Sequence, residues 1–269
     1  MGIKLGIIGC GAIGTSLYKF IVEQLLEFVD GVQVFDVDSN KTEKLAAKKD
    51  NVIIAKSIDD LIEKADIVIE AASPDVVPEL LRKVVEKQKN LMVMSIGGLL
   101  NCSEWIDQAR QKGLRILLPS GAIAGLDAVK SFGIAGIDSV TLTTRKGPKS
   151  LEGAPYLIEN KIDVMNIAGE TVIFDGNVLD AIKGFPKNVN VSALLSLAGI
   201  GPINTKVKIV TSPEYTSNIH EIQVIGKAGK VTICCENVPF PENPKTSYSA
   251  ALAAMASLKQ YFDTIRMGT

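Results

Sequence analysis

Histidine and tryptophan are the scarcest residues in this 269-residue chain, one of each, and aromatics together make up only 5%. One histidine, with four cysteines (Cys10, Cys102, Cys234, Cys235) out of metal-ligand spacing, leaves no expected metal site. Charge of one sign is also missing: the formal net charge is -1 and no Lys/Arg cluster stands out. Nothing here would hold a polyanion, so neither nucleic acid nor a membrane surface is an expected partner. Apolar residues reach 46%, yet no uninterrupted run approaches membrane-spanning length. The apolar start at Ile3 runs straight into a glycine-rich turn and does not read as a signal peptide. Gly6 stands where a myristoylation motif wants Ser or Thr. Four cysteines, two of them adjacent and one in the glycine-rich turn, fit a reduced, cytoplasmic protein.

What is present is a glycine pattern in an informative setting. Residues 9–14 read Gly-Cys-Gly-Ala-Ile-Gly, after the apolar run Ile3–Ile8 and ahead of a helix-like stretch from Ser16 to Phe28. A second apolar run ends at Asp36. In this order the parts have separate physical tasks. Gly9 permits the tight turn, Gly11 lets backbone approach a pyrophosphate, and Gly14 lets the helix pack close to the strand. Ala12 and Ile13 open that helix, whose N-terminus offers unpaired N–H groups to phosphate. Asp36 is placed to accept hydrogen bonds from adenosine ribose hydroxyls. A dinucleotide-binding Rossmann domain is the expectation. A carboxylate at Asp36 favours NAD, since it repels a 2′-phosphate, while Ser39, Asn40 and Lys41 nearby could accommodate NADP.

The chain from 1 to 119 alternates strands (3–8, 32–36, 52–54, 67–72, 91–95, 115–118) with helices (12–28, 40–48, 57–63, 75–88, 103–112). That alternation predicts a doubly wound parallel sheet. Ala72 and Ser73, in Glu70-Ala-Ala-Ser-Pro74, would lie at the carboxyl edge of the sheet, where small residues permit close approach of a dinucleotide. After Pro119 the texture changes to an α+β module, residues 120–246. Val140–Arg145 and Thr205–Thr211 alternate as half-buried strands, His220–Ile225 and Lys230–Val238 read as a hairpin, and a helix is expected over Val189–Ala198. The tail from 247 to 269 has Leu252, Met255, Leu258, Phe262 and Ile265 at helical spacing, with turn and N-cap signals at Asn243-Pro244 and Thr246-Ser247. It is expected to pack back on the first domain.

Few residues outside the glycine loop can do chemistry. His220 has the side chain suited to proton transfer near neutrality. It shares a strand face with Ile222 and Val224, while Glu221 points the other way. By itself a lone strand histidine is more often structural than catalytic. Ser120, in the Pro119-Ser-Gly-Ala-Ile-Ala-Gly-Leu-Asp127 turn, could contact nicotinamide or substrate. Asn190 could cap a helix or bond a carboxamide. Arg145, Lys146 and Lys245, the last beside Thr246, are candidates to clamp a substrate carboxylate.

These segments, taken together and in this order, resemble the L-aspartate dehydrogenase family over nearly the whole chain. The match rests on Gly9–Gly14, Glu70–Pro74, Pro119–Asp127, Phe185-Pro-Lys-Asn-Val-Asn-Val191, Asn218-Ile-His-Glu-Ile222, Glu236-Asn-Val-Pro and Asn243–Ser247. The resemblance implies NAD- or NADP-dependent conversion of L-aspartate to iminoaspartate, which hydrolyses to oxaloacetate and ammonia or supplies quinolinate and NAD synthesis. It implies a homodimer, His220 as the active-site residue, and cofactor contacts from Ala122 and Asn190. Rival two-domain reductases fit less well. Dihydrodipicolinate reductases carry a histidine-rich motif, and sugar or inositol dehydrogenases carry Glu-Lys-Pro where Ser95-Ile-Gly-Gly98 stands here. A homoserine dehydrogenase, or an NAD-binding sensor without turnover, are the remaining alternatives.

Overall fold

A computed structural model describes residues 2–47, 52–186, 189–241 and 243–268; Lys187, Asn188 and the side chain of Lys245 lie outside the described residues. The chain divides into two compact units, Met1–Pro119 with Ala251–Arg266, and Ser120–Ala250 with Met267–Thr269.

The first unit is a parallel sheet with strands β1 (Ile3–Ile8), β2 (Val29–Phe35), β3 (Ile53–Ile54), β4 (Ile67–Glu70), β5 (Asn90–Val93) and β6 (Ile116–Leu117). Their spatial order is β3-β2-β1-β4-β5-β6, with every neighbour parallel. The strands are connected by α1 (Ala12–Gln24), α2 (Ser39–Ala46), α3 (Ile58–Lys64), α4 (Val77–Glu86) and α5 (Ser103–Gln111). Helices covering both faces are the reason β1 and β4 read as near-continuous apolar runs rather than alternating ones. Leu5, Ile7, Ile67, Ile69 and Met92 of the sheet pack with Leu17, Tyr18 and Ile21 of α1 in one core. Chain order reverses between β1 and β4, and a sheet of this build receives ligands at the carboxyl ends of the strands beside that point.

Several expected boundaries move. α1 stops at Gln24 rather than Phe28, because the chain must turn in time for Val29 to pair with Ile3, and Phe28 stacks on Phe262 with centroids 5.4 Å apart. β4 ends at Glu70, whose side chain is wholly buried, so Ala71 and Ala72 belong to the following turn. The C-terminal helix spans Tyr248–Phe262, and its buried face is Ala251, Ala254 and Leu258. Leu252 is exposed, and Ile265 lies beyond the helix end. Two alanines let the helix approach more closely than the expected stripe of larger residues would.

The second unit is a mixed five-stranded sheet. Its strands are β7 (Ile137–Lys146), β8 (Thr171–Asn177), β9 (Thr205–Thr211), β10 (Asn218–Gly226) and β11 (Gly229–Asn237), in the order β11-β10-β7-β9-β8. β10 pairs antiparallel with both β7 and β11, and β7 runs parallel to β9. Helices α6 (Leu126–Ala135), α7 (Pro155–Glu159), α8 (Val178–Gly184), α9 (Asn190–Ala198) and α10 (Gly201–Asn204) complete it. One sheet face is buried. Val140, Leu142, Thr144 and Lys146 of β7 line up with Thr205, Val207, Ile209 and Thr211 of β9 and with His220, Ile222 and Val224 of β10. The alternate residues are more exposed, the period-2 pattern expected of a sheet covered on one side. Asn243–Ser247, expected as a turn and helix cap, is instead the strand β13, paired with β12 (Pro239–Phe240). Stacking of Phe240 on Tyr248, 5.4 Å between centroids, accompanies that ladder.

Candidate active site

In the first unit, the turn after β1 is built so that backbone faces an open cavity. Gly9 has φ +98, a left-handed conformation that a side chain would strain, and a Cβ there would collide with the backbone of Ala71 and Ala72. A Cβ on Gly14 would collide with the carbonyl of Gly9, so the helix packs against the strand only with glycine there. Gly11 differs: nothing lies within 4 Å of where its Cβ would stand. It is the N-cap of α1 and caps it with no side-chain bond, leaving the helix N-terminus open to an anion. The cavity beside it is about 280 Å³, lined by Gly9, Gly11, Asp36, Val37, Lys41, Ala72 and Ser73 among others. Ala12 and Ile13 form the first turn of α1, half-buried. Space, open N–H groups and a carboxylate at the far end suit the pyrophosphate and ribose of a dinucleotide.

Asp36 is already well bonded. Its Oδ2 accepts from Cys10 N at 2.8 Å, its Oδ1 from Asp38 N at 2.9 Å, and Lys41 Nζ stands 3.5 Å from Oδ1. Burial pushes this carboxyl up, but those donors and the lysine outweigh it and hold it below the usual range. It is a fixed anion at neutral pH.

Glu70 is the feature sequence reasoning passed over. The side chain is 0% exposed and accepts four hydrogen bonds. Ala72 N and Ser95 Oγ donate to Oε1 at 2.8 Å each, and Ser95 N and Met94 N donate to Oε2 at 2.8 and 3.2 Å. Burial raises its pKa against the pull of those bonds. One carboxylate thus ties the turn after β4 to the turn after β5. Its signal was a lone acid ending an otherwise apolar strand, Ile67-Val-Ile-Glu70.

In the second unit, β10 places His220 on the buried face, 5% exposed. Its Nδ1 lies 3.0 Å from Thr144 Oγ1, directly opposite on β7. The ring nitrogen left for proton transfer is Nε2. For Nε2 to accept a proton, Nδ1–H must donate to the threonine hydroxyl. Burial, and secondly the positive charge of Lys146, bring the imidazole pKa down to about 3, so His220 is neutral at ordinary pH. Lys146 shares this face, is 9% exposed, and burial brings its pKa down to about 8.

The remaining expected residues are placed as follows. Arg145 lies on the opposite face from His220, with Nη1 3.3 Å from Glu221 Oε2 and Nε 3.9 Å from Glu170 Oε2. Adjacent strand residues face opposite ways, so Arg145 is turned away from the face that holds His220. Ala122 is buried and its carbonyl accepts from Asn237 Nδ2 at 3.0 Å. Ser120 is half-buried in the turn ahead of α6. Asn190 is the first residue of α9 and not its N-cap, which is Val189. Thr246 Oγ1 accepts from Asn243 Nδ2 at 3.2 Å, on β13. Among the described residues no His/Cys/Asp/Glu cluster could hold a metal, and no helix is long and apolar enough to cross a membrane.

Comparison with known proteins covers both units. Residues 127–261 match the family model described as aspartate dehydrogenase, C-terminal, and residues 9–119 the one described as homoserine dehydrogenase, NAD binding domain. An L-aspartate dehydrogenase of Methanococcoides burtonii is 44% identical over 274 residues, covering 99% of this chain and 100% of that protein. One of Methanocaldococcus jannaschii is 38% identical over 271 residues, with the same coverage. The crystal structure of aspartate dehydrogenase from Thermotoga maritima superposes with a TM-score of 0.79 at 25% identity, covering 100% of both chains. A homoserine dehydrogenase from Thiobacillus denitrificans shares the fold, with TM-score 0.63 at 12% identity over 96% of this chain and 72% of that one.

Proposed function

The chain belongs to the L-aspartate dehydrogenase family, and from that premise we propose that it oxidises L-aspartate to iminoaspartate with NAD or NADP. The end-to-end likeness to relatives of that name carries the reading. A bound nicotinamide coenzyme supplies the hydride acceptor. The neutral amine of L-aspartate gives up hydride from Cα and a proton from nitrogen, leaving a neutral imine and a protonated base. The protein's task is to hold Cα in reacting geometry and to take that proton.

His220 is the base in this reading. Its neutral imidazole, oriented through Nδ1 by Thr144, presents Nε2 as acceptor. Gly9, Gly11, Ala12, Ile13, Gly14, Asp36, Ala72, Ser73, Ala122 and Asn190 contact the coenzyme, and Ser120, Lys245 and Thr246 remain candidates for the substrate. Lys41 beside Asp36 supports use of both coenzymes. The product imine hydrolyses to oxaloacetate and ammonia or feeds quinolinate and NAD synthesis, in the cytoplasm. A homodimer is part of the same reading, and light scattering of the purified protein tests it.

The deciding experiment follows reduced nicotinamide from L-aspartate with either coenzyme, beside L-glutamate, L-alanine and L-homoserine. Turnover confined to L-aspartate is expected, with His220→Ala losing ~10²–10⁴ in rate. Turnover of L-homoserine alone would reassign the substrate, and an undiminished His220→Ala enzyme would remove the base.

A further inference from the structure

The second unit holds a cavity that neither the coenzyme cradle nor the His220 chemistry uses. It lies where the end of β7 meets the start of β10, between the turn after β7 (147–150) and the turn ahead of β10 (213–217). Its volume is about 390 Å³, within the roughly 300–1,000 Å³ of small-molecule sites. His220 is two residues further along β10 than Asn218 and does not line it. None of its lining residues is shared with the glycine cradle. The walls are well tied. A Cβ on Gly147 would stand 2.7 Å from the carbonyl oxygen of Tyr215, so glycine lets the two turns meet. The Tyr215 hydroxyl donates to Glu170, which in turn lies 3.9 Å from Arg145 of β7. Three prolines and Met165 supply most of the apolar lining.

The polar lining divides into two kinds. Two hydroxyls already donate elsewhere, Ser150 Oγ to the Gly147 carbonyl at 2.8 Å and Ser217 Oγ to Glu236 at 2.7 Å. The side chains of Lys149, Thr216 and Asn218 have no protein partner among the described residues. An ammonium, a hydroxyl and an amide NH₂ can all donate, and no acidic side chain lines the cavity among the described residues to accept from them. Donors without acceptors, beside an apolar wall, match an anion that carries a hydrocarbon body. We propose that this cavity binds a small carboxylic acid with a flat apolar body, its carboxylate on Lys149, Thr216 and Asn218, at a site separate from that of the substrate. The proposal goes beyond the dehydrogenase reading and does not depend on His220 being the base. A compact inorganic anion would satisfy the donors and leave the prolines and Met165 uncovered. A neutral molecule of the same shape would cover them and leave the ammonium unpaired.

Benzoate is the probe, titrated into the purified protein by calorimetry beside benzamide, its uncharged counterpart, and acetate, the same charge without the ring. Benzoate is expected to bind about tenfold more tightly than either. Asn218→Ala should weaken it by about tenfold. Lys149→Met, at an exposed side chain, should weaken it about two- to fivefold. Met165→Trp puts a larger side chain into the cavity from a position 51% exposed, and should abolish binding while thermal unfolding stays that of the wild type. Saturating L-aspartate and coenzyme should leave the affinity for benzoate unchanged. The proposal is overturned if the wild type does not bind benzoate or binds benzamide equally well, results that need no variant to fold. It is also overturned if Lys149→Met and Met165→Trp both bind benzoate as the wild type does. Competitive displacement by L-aspartate would overturn it too, since benzoate would then occupy the substrate's own site. Failure of L-aspartate turnover would remove the dehydrogenase reading and leave the benzoate titration to stand by itself.

Discussion

The two units build their sites from different materials. The cradle after β1 is backbone: three glycines, an uncapped helix N-terminus, and one acid at the end of β2. The His220 site is side chains, an imidazole, a hydroxyl and an ammonium gathered on one buried sheet face. A backbone site tolerates almost any side chain nearby but no Cβ at its glycines. A side-chain site tolerates a varied backbone but no loss of its few functional atoms. Substitutions that remove one polar group should therefore separate the two, mildly at the cradle and sharply at the sheet, unless the cradle hides a side-chain dependence of its own.

Glu70 is where that contrast is expected to break, and it carries the largest effect on stability. Replacing it with Ala leaves the N–H groups of Ala72 and Ser95 without their acceptor, at about 1–3 kcal/mol each. Relief from burying a charge offsets part of this, and a net loss of about 2–4 kcal/mol is expected in denaturant unfolding. Glu70→Gln cannot substitute cleanly, since each carboxylate oxygen accepts from a backbone N–H and an amide NH₂ in either place would face one. Both variants should bind coenzyme more weakly in a direct titration, because the turns after β4 and β5 lose their common tie. Coenzyme affinity equal to wild type would return the cradle to backbone alone.

The same contrast explains what could be read from the chain beforehand. Gly9, Gly11 and Gly14 were legible because backbone geometry demands glycine at fixed spacing, and spacing is local information. Apolar runs and their connections likewise announced the parallel sheet. The partner of His220 was not legible. Thr144 lies 76 residues away, and only the antiparallel register of β7 with β10 brings it opposite. Choosing between Arg145 and Lys146 needed the same register, since alternation says that they face apart but not which of them faces the histidine. The strand at Asn243–Ser247 escaped because Pro and Asn read as turn residues, and its two-residue partner β12 is too short to leave a pattern.

Thr144→Val sharpens the comparison from the other side with a smaller effect. The substitution keeps the shape and strand preference of the residue and removes one hydroxyl. Losing the bond to Nδ1 should cost about 1 kcal/mol, roughly a fivefold drop in kcat/KM for L-aspartate. Coenzyme affinity and the unfolding midpoint should stay near wild type. A drop in coenzyme affinity of the same size would mean the hydroxyl supports the second unit generally and does not orient the ring.

The smallest effect is expected at Lys41, and it asks whether a surface charge can tune a site otherwise made of backbone. Asp36 is held as an anion by two N–H donors, so a ribose with both hydroxyls can donate to it, whereas a 2′-phosphate meets a like charge. Lys41 Nζ lies 3.5 Å from that carboxylate on a side chain 47% exposed, close enough to pair with a phosphate instead. Exposed pairs of this kind contribute about 0.2–1 kcal/mol. Lys41→Ala should therefore raise KM for NADP by no more than about fivefold and leave KM for NAD nearly unchanged. The difference should shrink as salt is added, because screening acts on exposed charges first. If both coenzymes weaken equally, Lys41 supports the pocket through Asp36 and not through a phosphate. A change confined to NADP would make it the one side chain by which the backbone cradle distinguishes its two ligands.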